Sequence, residues 1–212
     1  MGWVPSMKQT RDPGQPATLR LCDVSVGRLA GISFEVPAGA VATLGGPSGS
    51  GKSRLLRAIA DVEPHGGDIY WRGANQSECL PPEWRQRVMM VPAESHWWFD
   101  RVGDHFPEGV EVDYRAVGLA DATDQWQIDR LSSGEKQRLA LLRAITRKPE
   151  VLLLDEPTAN LDPDNVIHIE QWLRAIAIEQ SIAIVWVAHD PAQAERVADC
   201  QLKIRDGRVL AS

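Results

Sequence analysis

Four short apolar runs punctuate the chain: Ala40–Leu44, Val88–Val91, Val151–Leu154 and Ile182–Val187. Each is rich in branched side chains and apolar at successive rather than alternating positions, the pattern of strands buried on both faces of a parallel sheet. Between them lie segments with helical spacing, Lys52–Val62, Gly134–Arg147 and Asn165–Gln180. In the second, Leu139, Leu142 and Ile145 recur on one face, and Pro149 prevents continuation. The third starts from Asp162-Pro163, a capping residue followed by proline at the first helical position. Strands alternating with helices predict an α/β domain.

Shorter runs at Thr18–Cys22, Ile32–Val36 and Asp68–Arg72 are expected to form an antiparallel layer beside the main sheet, together with a hairpin over Gln201–Arg205 and Arg208–Ala211. Its turn is Asp206-Gly207, a pair suited to a two-residue hairpin loop. The stretch from Ser95 to Arg130, with its boundary near residue 135, has weak periodicity and many charges, and is read as a small, mostly helical insertion. Residues 1–16 are rich in proline and polar side chains and read as a flexible arm, leaving residues 17–212 as one domain.

Composition narrows the function classes. The formal net charge of −6 argues against a dedicated nucleic-acid binder, so no nucleic-acid partner is expected. Cys22, Cys79 and Cys200 are far apart, odd in number and without CxxC spacing, which indicates neither a disulfide framework nor a zinc site and suits a reducing, cytoplasmic setting. No run approaches the ~18 apolar residues of a membrane span, and the first residues lack the apolar region of a secretory signal.

In parallel α/β sheets, ligands bind beyond the carboxyl ends of the strands. The first run is followed there by Gly46-Pro47-Ser48-Gly49-Ser50-Gly51-Lys52-Ser53, which satisfies GxxxxGK[ST]. Its glycines let the backbone curl so that amides point at phosphate oxygens, and the helix beginning at Lys52 adds its positive end. Lys52 can reach the β- and γ-phosphates, and the Ser53 hydroxyl can ligate Mg²⁺. The third run ends in Asp155-Glu156, two carboxylates at the tip of a buried strand. Asp155 is the candidate to hold Mg²⁺ through water, and Glu156 to accept a proton from an attacking water. The fourth run ends in His189-Asp190, where His189 is either structural or a contact for the γ-phosphate and the water.

Leu131-Ser132-Ser133-Gly134-Glu135, followed by a helix and VLLLDEP, resembles the LSGGQ signature of ATP-binding cassette (ABC) ATPases. Ala159-Asn160-Leu161-Asp162 resembles the D-loop of that family, and His189 its switch histidine. The resemblance runs from about Ala17 to Ser212. It implies a RecA-like P-loop core with a mainly parallel sheet, an antiparallel β subdomain and a small helical subdomain. It implies ATP and Mg²⁺ as cofactors, with Ser53 and Asp155 on the metal and Glu156 and His189 as catalytic residues. It further implies an ATP-bound dimer, expected to be a homodimer, in which Ser132 and Gly134 of one subunit meet the γ-phosphate held by the other. LSSGE also reads as a helix cap by Ser132 or Ser133; both can hold, since a cap presents free amides to an anion.

Two positions depart from the family pattern. The glutamine at the end of the strand before the insertion is replaced by Ala93, with Glu94 next, and the adenine-stacking aromatic by Val26, with Arg28 close by. Trp97-Trp98-Phe99 is either core or an exposed patch that receives a helix of a membrane partner, and Asp100, Asp104, Glu108, Glu111 and Asp113 read as a solvated face. The leading expectation is the ATPase subunit of a transporter, peripheral at the inner face of the cell membrane and working with a separate integral membrane permease. The segment Glu83–Val88 and the short insertion resemble the small, stand-alone bacterial type. The alternatives are a non-transport ABC ATPase, such as one in iron–sulfur assembly, and a weakly hydrolysing nucleotide switch.

Overall fold

The computed structural model describes residues 18–211, so the arm assigned to residues 1–16 lies outside the described residues. Two sheets organise the chain. The smaller contains β1 (Leu19–Val26), β2 (Leu29–Val36), β4 (Gly66–Trp71) and β5 (Ala74–Asn75), in the order β2-β1-β4-β5 and antiparallel throughout. The larger contains β3 (Val41–Gly45), β6 (Val88–Val91), β7 (Val151–Asp155), β8 (Ala183–Val187), β9 (Cys200–Arg205) and β10 (Arg208–Ala211). Its order is β10-β9-β3-β8-β7-β6, parallel except for β10 at one edge.

The unbroken apolar runs follow from burial on both faces. Along β7, Val151 and Leu153 point into one core, and Leu152 and Leu154 into the other. β8 alternates in the same way, with Val185 on one side and Ile184 and Trp186 on the other. Helix α1 (Lys52–Ile59) and the small sheet cover the first core. Helices α3 (Ser133–Ile145), α4 (Pro163–Glu179) and α5 (Pro191–Val197) supply the second. α2 (Pro81–Arg87) anchors to α1 through fully buried Trp84, whose Nε1 donates to the Ile59 carbonyl at 2.8 Å.

Three expectations are corrected. The C-terminal hairpin belongs to the main sheet: β9 lies parallel beside β3, with Ala42 opposite Cys200. Its turn still meets the small sheet, where Ala30 N donates to the Gly207 carbonyl at 3.0 Å. α1 stops at Ile59, short of Val62, because Asp61 turns left-handed (φ 59°) and the chain folds back, with Val62 N donating to the Arg57 carbonyl. From Ser95 to Arg130 the helical content consists of four 3₁₀ segments rather than α-helices: Gly103–His105, Tyr114–Val117, Asp121–Gln125 and Ile128–Arg130.

Candidate functional site

The carboxyl ends of β3, β8 and β7 bring the sequence motifs together. Leu44 and Asp155 each stand opposite Val187 of the intervening strand, so their backbones lie two strand spacings apart, about 10 Å. After β3 the chain curls through Gly46–Ser53, and Gly46, Gly49 and Gly51 all take positive φ. At Gly51 a side chain would also crowd Leu29, its first carbon meeting Cδ1 at 3.1 Å. Glycine is therefore required at the entry to α1, where the loop delivers Lys52 as the first helical residue.

Lys52 is only 6% exposed and bends back through its own loop, Nζ donating to the carbonyls of Gly46 (2.9 Å) and Pro47 (3.0 Å). Burial pushes its ammonium below the ordinary lysine range, while the carboxylates of Glu156 and Asp155 act in the opposite direction. The acidic pair is thus electrostatically coupled to the glycine loop. Ser53 occupies the second position of α1, and Pro47, Ser48 and Gly49 form the exposed crest of the curl. Ser50 Oγ is buried without a hydrogen-bond partner. A cleft of about 570 Å³ opens beside the loop, lined by Gly46, Pro47, Gly49, Ser50, His189 and Arg28 among others.

Asp155 is buried at the last position of β7, and its Oδ1 has no hydrogen-bond partner. Glu156, the next residue, takes φ 51°, a left-handed turn that costs a non-glycine residue about 1–3 kcal/mol. Its Oε1 lies 2.6 Å from His189 Nε2. An ionised carboxylate only accepts, so the imidazole donates.

These groups test whether Mg²⁺ fits. The orphaned Asp155 oxygen and the Ser53 hydroxyl are hard oxygen donors of the kind the ion takes. Among the described residues no group of three or more His, Cys, Asp or Glu could cage a metal. Mg²⁺ is commonly held by one or two protein oxygens and completed by phosphates and water. The Ala93 side chain offers no oxygen, and Glu94, just beyond β6, is exposed.

The signature segment sits elsewhere. Ser132 caps α3 in a full capping box: its Oγ accepts from Glu135 N at 3.2 Å, and its own N–H donates to Glu135 Oε2 at 2.8 Å. Gly134 packs against the D-loop, where a side chain's first carbon would lie 2.9 Å from the Asn160 carbonyl oxygen. Asp162 caps α4, accepting from Asn165 N at 3.1 Å. Among the described residues no hydrogen bond joins Ser132 or Gly134 to the glycine loop.

Val26 is 4% exposed and packs in the core, so it presents no surface to a base; Arg28 is exposed at the cleft. The Trp97–Phe99 segment resolves as a partly exposed patch, with Trp98 61% and Phe99 49% exposed, and Trp97 half-buried. Asp100, Asp104, Glu108, Glu111 and Asp113 are all exposed. All three cysteines are free. Sequence reasoning missed two residues beneath the site, Thr158 and Gln193, whose side chains meet at 2.8 Å. The available signal was their spacing, two residues after Glu156 and one helical turn after His189.

The ABC transporter family model matches residues 29–159. The phosphate import ATP-binding protein PstB of Aeropyrum pernix is 36% identical, aligned over 86% of this chain and 82% of its own. The aliphatic sulfonates import ATP-binding protein SsuB of Rhodopseudomonas palustris is 37% identical over 94% of this chain and 74% of its own. Among solved structures, a bacterial Atm1-family ABC exporter with ATP bound superposes with a TM-score of 0.79 at 25% identity, covering 93% of this chain and 40% of the exporter chain. The chain belongs to the ABC transporter family, as an ATP-hydrolysing subunit.

Proposed function

We propose that this chain binds Mg-ATP at Gly46–Ser53 and hydrolyses it to drive a separate membrane permease. The observation that carries the site assignment is the convergence of Lys52, Asp155, Glu156 and His189 at the carboxyl ends of three adjacent strands. On this reading the loop amides and α1 receive the phosphates, and Lys52 exchanges its two loop carbonyls for phosphate oxygens. Ser53 and Asp155 hold Mg²⁺, which supplies charge neutralisation on the phosphates. Glu156 takes the proton of the attacking water, and His189 orients its carboxylate. Ser132 and Gly134, which among the described residues make no hydrogen bond to the chain's own glycine loop, serve a second copy of the chain, whose ATP closes the dimer.

The permease surface is the groove of about 700 Å³ between β6 and α3. Its floor includes Met90, Val91 and Ala140, and its rim carries Trp98, Arg143 and Arg147. Arg143 lies over the rings of Trp97 (4.4 Å) and Trp98 (5.0 Å), which makes the rim both aromatic and cationic. No helix among the described residues is long and apolar enough to cross a membrane, so on this reading the permease carries the chain to the inner membrane face.

Glu156→Gln tests the hydrolytic half. Its phosphate release is expected to fall by about 10²–10⁴-fold, the usual worth of a general base, while ATP binding persists and a dimer accumulates on gel filtration. An unchanged rate removes the base assignment, and a protein that stays monomeric with ATP counts against the shared site. Purification from membranes in mild detergent tests the other half. Recovery of an integral membrane protein with the wild type, lost with Trp98→Ala/Arg143→Glu, supports the groove; recovery of only a soluble assembly complex favours the non-transport alternative.

A further inference from the structure

Below the Glu156–His189 contact, the two loops that carry those residues are joined a second time. Gln193 Nε2 donates to Thr158 Oγ1 at 2.8 Å and to Glu170 Oε1 at 2.9 Å. Thr158 lies in the run of turns that begins at Glu156, where Ala159 N donates to the Glu156 carbonyl and Leu161 N to the Thr158 carbonyl. Gln193 lies on α5, which starts immediately after His189-Asp190 and is capped by the Asp190 side chain on Ala192 N at 2.9 Å. Glu170, on α4, is 3% exposed, and Arg196 grips it with both oxygens engaged, Nε to Oε2 and Nη2 to Oε1, each at 2.8 Å.

A buried carboxylate and amide are costly unless their hydrogen bonds are complete, and apolar side chains of similar volume fill such space at lower cost. Here Gln193 and Arg196 engage both Glu170 oxygens, and the network spans α4, α5 and the Asp155-Glu156 loop. What needs holding is close by: a non-glycine residue with φ 51° persists only where its surroundings over-determine it. We propose that Gln193 is a positioning residue for ATP hydrolysis. By fixing Thr158 to α5, it sets the distance between the Glu156 turn and His189, and so the direction of the Glu156 carboxylate. The inference rests on the assignment of Glu156 as the base.

The test uses the full chain and Mg-ATP over a range of concentrations. Gln193→Leu and Thr158→Val are each expected to lower kcat by at least about tenfold with KM for ATP within about twofold, the split of an interaction that acts in the chemical step. Thr158→Ser, which keeps the hydroxyl, is expected to restore most of the rate. In a Glu156→Gln background, measured in single turnovers, Gln193→Leu is expected to lower the residual rate by less than about twofold, because both changes act through one group. Loss of kcat in Glu156→Gln beside unchanged kcat in Thr158→Val and Gln193→Leu overturns this inference alone, as does a full multiplicative loss in the double variant. A Glu156→Gln protein at the wild-type rate overturns the base assignment and this inference with it. Should Gln193→Leu fail to fold, Thr158→Val and its serine counterpart decide the matter.

Discussion

Lys52 does two jobs whose energies oppose each other. Its ammonium ties down the loop carbonyls of Gly46 and Pro47, yet burial disfavours its charge. On the proposed reading, a bound triphosphate would relieve the conflict by supplying anionic partners at the same place. Lys52→Ala is therefore expected to weaken ATP binding by about 100-fold, near 2.7 kcal/mol, in a titration with a fluorescent ATP analogue. Unchanged affinity removes the phosphate-loop assignment. Gly134 is a residue of another kind, selected by space. With the Asn160 carbonyl 2.9 Å and Leu161 Cδ2 3.3 Å from where a side chain begins, Gly134→Ala must push α3 off the D-loop. The expected loss of stability in urea unfolding is about 1–3 kcal/mol, the range for overpacking.

Among the elements, the turn around His105 carries the exposed aromatic patch and makes it sensitive to pH. His105 is buried, its Nε2 accepts from the amides of Trp98 (3.0 Å) and Phe99 (3.1 Å), and its Nδ1 faces the Arg101 carbonyl at 3.0 Å. The rings of Trp97, Trp98 and Phe99 stand edge-on to it. Two amides pointing at Nε2 require the neutral ring. Burial chiefly, and the Arg143 charge, hold its pKa below the ordinary histidine value, with Asp104 and the carbonyls of Arg101 and Val102 acting the other way. The unfolded chain then takes up a proton near pH 6.5 that the folded chain declines. The stabilisation is complete above that pH and is lost as pH falls toward the lower folded pKa. Unfolding free energies from urea titrations between pH 7.5 and 5 are expected to fall with a slope of at most about 1.4 kcal/mol per pH unit, the limit for one proton, and to flatten in His105→Gln. An equal slope in the variant assigns the effect to other groups.

The same elements show what the sequence reveals and where it stops. VLLL and AIVWV are legible because a strand buried on both faces needs apolar side chains at every position. The placement of Lys52 and Ser53 at the start of α1 is legible because the GxxxxGK[ST] spacing marks a glycine curl that leads into a helix. The end of α1 is not, since Val62 continues the helical pattern and the left-handed turn falls on Asp61 rather than on glycine. His105 is a lone histidine in a weakly patterned stretch, and only its folded neighbours give it a role. Gln193 lies one helical turn after His189, but its partners are distant in sequence and near only after α4 and α5 pack. The hairpin Cys200–Ala211 reads correctly as a hairpin, but local alternation carries no information on which sheet it joins.

On the scale of the molecule, the main sheet divides the interior in two, and each half supports a different part of the site. The half with α1 and the small sheet backs the glycine loop, whereas the half with α3, α4 and α5 backs the signature segment, Thr158 and Gln193. The strand after α5 finishes the arrangement by lying along β3, pairing residues 42–45 with residues 200–203. During synthesis that edge of β3 stays unpaired until β9, the last strand but one, has been made. A nascent chain displayed on the ribosome as far as Ala198 would leave one edge of the loop-bearing strand bare, and capture by immobilised ATP is expected to begin only once Cys200–Arg205 has emerged.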